Sequence, residues 1–325
     1  MIIGFCNKQF NKIKHIYTDG RISAEVKNIN PYLVDAPDIL VSSQGKAISD
    51  VPRITAGNKP ADGGNLILSQ GERDSILSKD KKLECCIKRY VGSRDFINND
   101  EIRYCLWLRG IDPSIYRKSD DIMKRLEAVK IMRMNSSAAP TRAYADRPFL
   151  FFSAPQGNGD YLCIPEVSSS RRRYIPIGFM DGNTIASNKL LIIPDATLYH
   201  FGVLTSNVHM AWTRVVCGRL KSDYQYSGAN VYNTFPWCEP TEEQRKLIEV
   251  TAQMILDARA KYPNSSLADL YDDLTMPPEL RKAHNENDKA VLKAYGFKPG
   301  TPEFSSESAC VAALMRMYQE KVSQK

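Results

Sequence analysis

At Thr241 the periodicity of the sequence changes, and it does not change back. From Arg147 to Tyr232 short apolar runs are broken by turn formers: "PFLFFSAP", "DYLCIPEV", "RRYIPIGFM" and "LLIIPDATLYHFGVL". Runs of that length read as strands of a mixed sheet, with their prolines at strand ends or edges. "NTFPWCEP" reads as a linker. Thr241-Glu-Glu-Gln244 is then a capping-box pattern, the threonine covering an orphan N–H while the glutamine reaches back. Helices follow in "NSSLADLYD", "MPPELRKAH", "NDKAVLKAYG" with a C-cap at Gly296, and "SACVAALMRMYQEKV". Sheet-forming and helix-forming runs kept apart along one chain predict an α+β fold.

The first half carries its own β signals. "MIIGF" and "HIYTDGRISAEV" read as strands, the latter two joined at the turn Asp19-Gly20. "RITAGNKPADGGNLILS" crowds Gly57, Pro60, Gly63 and Gly64 into a loop of tight backbone geometry. A helix is expected within "DSILSKDKKLECCIKRYVG", ending at Gly92. Another is expected from Asp120 to Arg133, where Ile122, Leu126, Val129 and Met132 share a face. Val208, Ala211, Trp212, Val215 and Val216 predict one more helix between the strands.

A chain of 325 residues has room for two domains, and 44 basic against 37 acidic residues permit a polyanionic partner without demanding one. The eight cysteines form no CxxC pair and the four histidines no i, i+4 pair, so a zinc site has almost no support. Thiols so scattered are mostly small buried hydrophobes in a reducing compartment. No signal peptide opens the chain, and no apolar run approaches the ~20 residues of a membrane span, so no membrane partner and a cytoplasmic location are expected.

Self-contained active-site motifs are missing. "GNGD" lacks the strand–helix context of a nucleotide loop and reads as a turn. Asp19 with Glu25 and Lys27 fits the letters of a metal-dependent nuclease, an alternative with too few residues for its strand–turn–strand frame. "NINPYL" approaches the Asn-Pro-Pro-aromatic motif of amino-methyltransferases but lacks the second proline, and "TMPPEL" lacks the asparagine. An Asx-Pro turn and a proline helix start are the plainer readings.

A polar reading surface remains. Lys221 and Asp223 would share one face of an extended strand, a donor beside an acceptor. In the major groove a guanine offers two acceptors and its paired cytosine an amino donor, the complement of such a pair. An exposed ion pair is worth only ~0–1 kcal/mol to the fold. In "EVSSSRRRYIPIG", Arg171 and Arg173 would share a strand face, and arginines flanked by serine hydroxyls suit phosphate contact.

Eight stretches carry a family resemblance: "NINPYLVD", "GNKPADGGNLILS", "RYCLWLRG", "PEVSSSRRRYIPIGF", "FGVLTSNVHMAWTRVVCGRLKSDYQYS", "VYNTFPW", and "SSLADLYD" with "MPPELRKAH". Nearly the whole chain resembles the C-terminal half of the MmeI-like (type IIL) restriction-modification enzymes, which are large single-chain DNA methyltransferases. The resemblance implies that residues 1–40 are the last strands of a methyltransferase domain, 41–238 a mixed-sheet target-recognition domain, and 239–325 a helical C-terminal domain. It implies double-stranded DNA as the partner, read by Glu166 with Asn188 at one base pair and by Lys221 with Asp223 at another. Arg171, Arg173, Arg214 and Arg219 are added as phosphate contacts, Arg214 and Arg219 having the plainer role of neutralising a helix end. The catalytic motifs, the S-adenosylmethionine loop and the nuclease motif are not in this chain. No cofactor or catalytic residue is therefore expected here, and the methyltransferase domain would be supplied in cis or by a partner chain. Methyl transfer to a flipped adenine belongs to that parent. A protein-interaction scaffold built on the helical tail is the remaining alternative.

Overall fold

The protein is described here by a computed structural model covering residues 12–18 and 21–324. The strand expected in "MIIGF", the Asp19-Gly20 turn, and Asp19 itself lie outside the described residues. Two strands lie on either side of residues 19–20, β1 (Lys14–Thr18) and β2 (Arg21–Val26), paired antiparallel with His15 opposite Glu25.

Three further sheets follow. The strands are β3 (Thr55–Ala56), β4 (Ile67–Ser69), β5 (Ile87–Val91), β6 (Arg103–Leu106), β7 (Tyr161–Pro165), β8 (Val167–Ser168), β9 (Gly178–Met180), β10 (Thr184–Ala186), β11 (Leu190–Pro194), β12 (Gly218–Leu220) and β13 (Asp223–Gln225). The first sheet has the order β10-β5-β6-β4 and is mixed, with β10 parallel to β5. The second, β3-β11-β7-β9, and the third, β12-β13-β8, are antiparallel. Helices of seven or more residues are α1 (Gln70–Lys79), α2 (Asp120–Met134), α3 (Leu198–Leu204), α4 (Asn207–Val216), α5 (Glu242–Ala260), α6 (Pro278–Ala294) and α7 (Glu307–Ser323).

The expected capping box forms at the start of α5, with Gln244 N–H to Thr241 Oγ1 at 3.3 Å and Thr241 N–H to Gln244 Oε1 at 2.9 Å. Gly296 takes φ +78 just past α6, the left-handed exit that favours glycine. Four expectations are corrected. The helix expected to run to Gly92 stops at Lys79, because Asp80 caps a new 3-10 turn through Lys82 N–H and Ile87–Val91 turns into β5. "PFLFFSAP" forms no strand beyond a bridge from Ser153 to Lys59; Phe151 packs edge-on against Trp107 instead. "LLIIPDATLYHFGVL" is a strand followed by α3, capped where His200 Nδ1 accepts the Thr197 N–H at 3.0 Å. The expected linker at 233–238 is buried, with Phe235 and Trp237 in the core.

That core crosses the boundary between sheets and helical tail. Ile164, Phe201, Trp212 and Phe235 share one apolar cluster with Ile248, Ile255, Leu280, Val291 and Leu314. A second cluster, around Leu66, Leu106 and Val129, fills the first sheet against α2. Gly202 lets α3 and α5 touch: a Cβ there would lie 2.6 Å from Ile248 Cγ2. At the edge of the second cluster the fully buried Arg133 donates to the carbonyls of Pro60, Ala61, Tyr144, Arg147 and Leu150.

Candidate nucleic-acid interface

Where the three sheets meet there is a cleft of about 600 Å³. Each wall comes from a different part of the chain. The Ser187–Lys189 turn between β10 and β11 gives Asn188, the junction of β7 and β8 gives Glu166, and β13 gives Asp223. The walls are tied through the backbone by Glu166 N–H to Lys189 O at 3.2 Å, Tyr226 N–H to Glu166 O at 2.8 Å and Asn188 N–H to Asn58 O at 2.9 Å. Beneath them Asn58 and Gln156 form a buried amide pair at 2.8 Å, and Gln156 also donates to Thr184 O at 2.7 Å. Three of the four residues assigned to base reading thus line one cavity, though 57 positions separate the first from the last.

The fourth is placed differently. The strand expected through Lys221 and Asp223 is not continuous: Leu220 pairs with Asp223, leaving Lys221 and Ser222 as a two-residue hairpin turn. Lys221 has φ +56, a conformation that favours glycine, and it is exposed. Period-two alternation therefore does not apply between them. Lys221 projects from a tip, while Asp223 is half-buried and its Oδ1 accepts the Ser170 N–H at 3.1 Å.

The arginines are corrected as well. β8 ends at Ser168, and Ser169–Arg172 is a turn closed by Arg172 N–H to Ser169 O at 3.2 Å, so Arg171 and Arg173 share no strand face. Arg171 is exposed on that turn. Arg173 leaves the cleft for the helical tail, 4.0 Å from Asp288 and over the ring of Tyr174. Arg214 is paired with Glu307 of α7 at 2.8 Å and donates to Arg173 O. Arg219 stacks on Tyr224 at 4.1 Å and donates to Arg214 O at 3.1 Å, the plainer role of satisfying a helix end. Sequence reasoning passed over Arg172, which turns into the cleft half-buried. Its desolvation lowers the guanidinium's proton affinity, and Asp223 partly offsets this.

The methyl-transfer look-alikes are structural. Asn30 is 2% exposed; its Oδ1 accepts from Tyr32 N–H at 3.0 Å and Val34 N–H at 3.1 Å, an Asx turn with nothing left for a substrate amine. Pro278 opens α6. Neither look-alike offers the groups an S-adenosylmethionine site needs. Glu25 faces His15 at 3.9 Å, and among the described residues no group of three His, Cys, Asp or Glu could hold a metal ion. No helix among the described residues is long and apolar enough to cross a membrane.

Residues 35–239 match the family model described as MmeI, target recognition domain, and residues 240–324 match MmeI, C-terminal domain. The chain is 37% identical to DNA methyltransferase A of Bacillus subtilis (strain 168) over 320 residues, 98% of this chain and 36% of that protein. It superimposes with a TM-score of 0.85 on the solved type IIL restriction-modification enzyme MmeI in complex with DNA. The two are 46% identical, over 92% of this chain and 39% of that one. The chain therefore spans less than two-fifths of the length of either relative.

Proposed function

Since the chain belongs to the MmeI family by matches to both of those models, we propose that it is the part that selects the DNA site of an adenine-specific methyltransferase. Residues 41–238 read the duplex, residues 239–325 brace the reading surface, and residues 1–40 continue a catalytic domain supplied in cis or by a partner chain. S-adenosylmethionine and methyl transfer to adenine belong to that catalytic part.

The convergence of Glu166, Asn188 and Asp223 on one cleft carries this reading. Asn suits the N6 and N7 positions of adenine, and a carboxylate accepts from the amine of cytosine. Lys221, exposed on the hairpin tip, reaches toward the DNA beside the base pair that Asp223 meets. Arg171, exposed beside three serines, is the phosphate contact best placed to serve. Arg173, Arg214 and Arg219 position the surface through the bonds described above.

Equilibrium binding of duplex DNA to the full chain across a salt series tests the proposal. The logarithm of the affinity should fall linearly with log salt, by the counterion release of several phosphate contacts. Lys221→Glu combined with Asp223→Arg should change the preferred base at one position and leave non-specific affinity nearly intact. No binding even at low salt would favour a protein scaffold, and magnesium-dependent cleavage lost in Glu25→Ala would favour a nuclease.

A further inference from the structure

Arg172 stands out among the cations of the cleft because its charge is unspent. Lys189 Nζ is 3.2 Å from Glu166 Oε2, Arg94 Nη2 is 3.1 Å from Asp100 Oδ2, and Arg103 is held by Asp95. Arg172 has no ion pair within 4.0 Å and no side-chain hydrogen bond among the described residues. It is half-buried, and a guanidinium that makes no pair or bond among the described residues keeps its donor fork open to a ligand entering the cleft. Across from it Asp223 is half-satisfied: Oδ1 accepts from Ser170 N–H, while Oδ2 accepts nothing among the described residues. Arg172 and Asp223 line the same cleft, and the charges of Asp223 and, from the tail side, Asp272 both favour the arginine's own.

We infer that Arg172 is a specificity-determining residue, reading guanine O6 and N7 while Asp223 accepts from the N4 amine of the paired cytosine. This rests on the DNA-reading function proposed above. A phosphate is the poorer occupant, because Asp223, with one oxygen open, lines the cleft beside Arg172 and would repel it. A base-pair edge offers acceptors and an amine together, and so meets both charges. The Ser169–Arg172 turn fixes the fork: Asp223 holds Ser170, and Arg173 is drawn away toward Asp288.

Selection of bound sites from a randomised duplex pool by the full chain tests this, with Arg172→Gln and Arg172→Lys beside the parent. Arg172→Gln should lose guanine preference at one position by about tenfold to about a hundredfold, with adenine gaining, while the other positions hold. Arg172→Lys keeps the charge without the fork and should lose part of that preference at an unchanged salt slope. A uniform loss at every sequence, with the slope reduced by about one, would make Arg172 a phosphate contact and overturn the inference while the function stands. Unchanged preference in both variants would also overturn it. A parent that selects no sequence would remove the function reading itself. Thermal midpoints of the variants, expected within a few degrees of the parent, separate misfolding from altered reading.

Discussion

Tyr174 Oη donates to Asp288 Oδ2 across 2.7 Å, tying the segment that follows the cleft's arginines to helix α6 of the tail. The other oxygen of Asp288 accepts the Asn207 N–H at 2.7 Å, at the first residue of α4, the helix that leads into the reading hairpin. His284 stacks on Tyr174 at 4.1 Å and is kept neutral by burial, while Arg173 stands 4.0 Å from the carboxylate.

Burial is the largest influence on Asp288 and pushes its pKa up to about 6 from an ordinary 3.8, against the hydrogen bonds and arginines that favour ionisation. Between those values the folded protein holds a proton that the unfolded chain has released. Stability from this group therefore falls as pH rises through that window, by about 3 kcal/mol in all, and is level above it. Asp288→Asn keeps an acceptor for Asn207 and should flatten this part of the stability profile. Denaturant midpoints from pH 4 to 7 for parent and variant check it; a difference curve without slope would be the contrary result.

The hairpin tip carries backbone strain. A residue with a side chain held at φ +56 costs about 1 kcal/mol relative to glycine. Lys221→Gly should therefore be about 1 kcal/mol more stable than Lys221→Ala, while both lose the amine and any discrimination it gives. Equal stabilities by chemical denaturation would show that the turn relaxes in the variants.

Arg133 is a structural cation. Its five carbonyl partners include Pro60 and Ala61 on one side and Arg147 and Leu150 on the other, so one guanidinium closes the loop 60–61 onto 144–150. Arg133→Met should cost about 3 kcal/mol or more, since it leaves those oxygens without a buried donor. Arg133→Lys, with a single ammonium, should recover only part of the loss. The urea midpoint is the measurement.

The α3–α5 contact depends on a missing side chain. Gly202→Ala places a methyl 2.6 Å from Ile248 Cγ2 and 3.1 Å from Ala252 Cβ, and should cost about 1–3 kcal/mol. Trimming the neighbour with Ile248→Ala should be less harmful in that background than in the parent. Additive losses in the double-mutant cycle would deny the clash.

Elements fixed by local rules were legible. The capping box at Thr241, the apolar face of Ile122, Leu126 and Val129, and α4 needed only neighbours three or four residues away. The failures fall where tertiary packing overrides local pattern. Residues 198–204 have an apolar character that suits strand or helix, and the deciding cap uses a histidine ring in place of Glu or Gln. Residues 233–240 look like a linker by Pro236 and Pro240 but bury the aromatic rings of Phe235 and Trp237. At the site, Glu166 and Asn188 came from family resemblance, while the pairing of Lys221 with Asp223 on one strand face was misread because Lys-Ser lacks the Gly or Asn that announces a two-residue turn. Arg172 differs from Arg171 and Arg173 only by which way the Ser169 turn points it. No spacing rule in the sequence carries that information.

The apolar interior that runs unbroken past residue 239 has a consequence for exchanging parts between relatives. Exchanging reading surfaces between relatives by recombination at that point would leave two torn halves of a single interior, each with oily residues facing water. Sheets and tail are therefore expected to melt in one cooperative transition, with no separate step for residues 240–324.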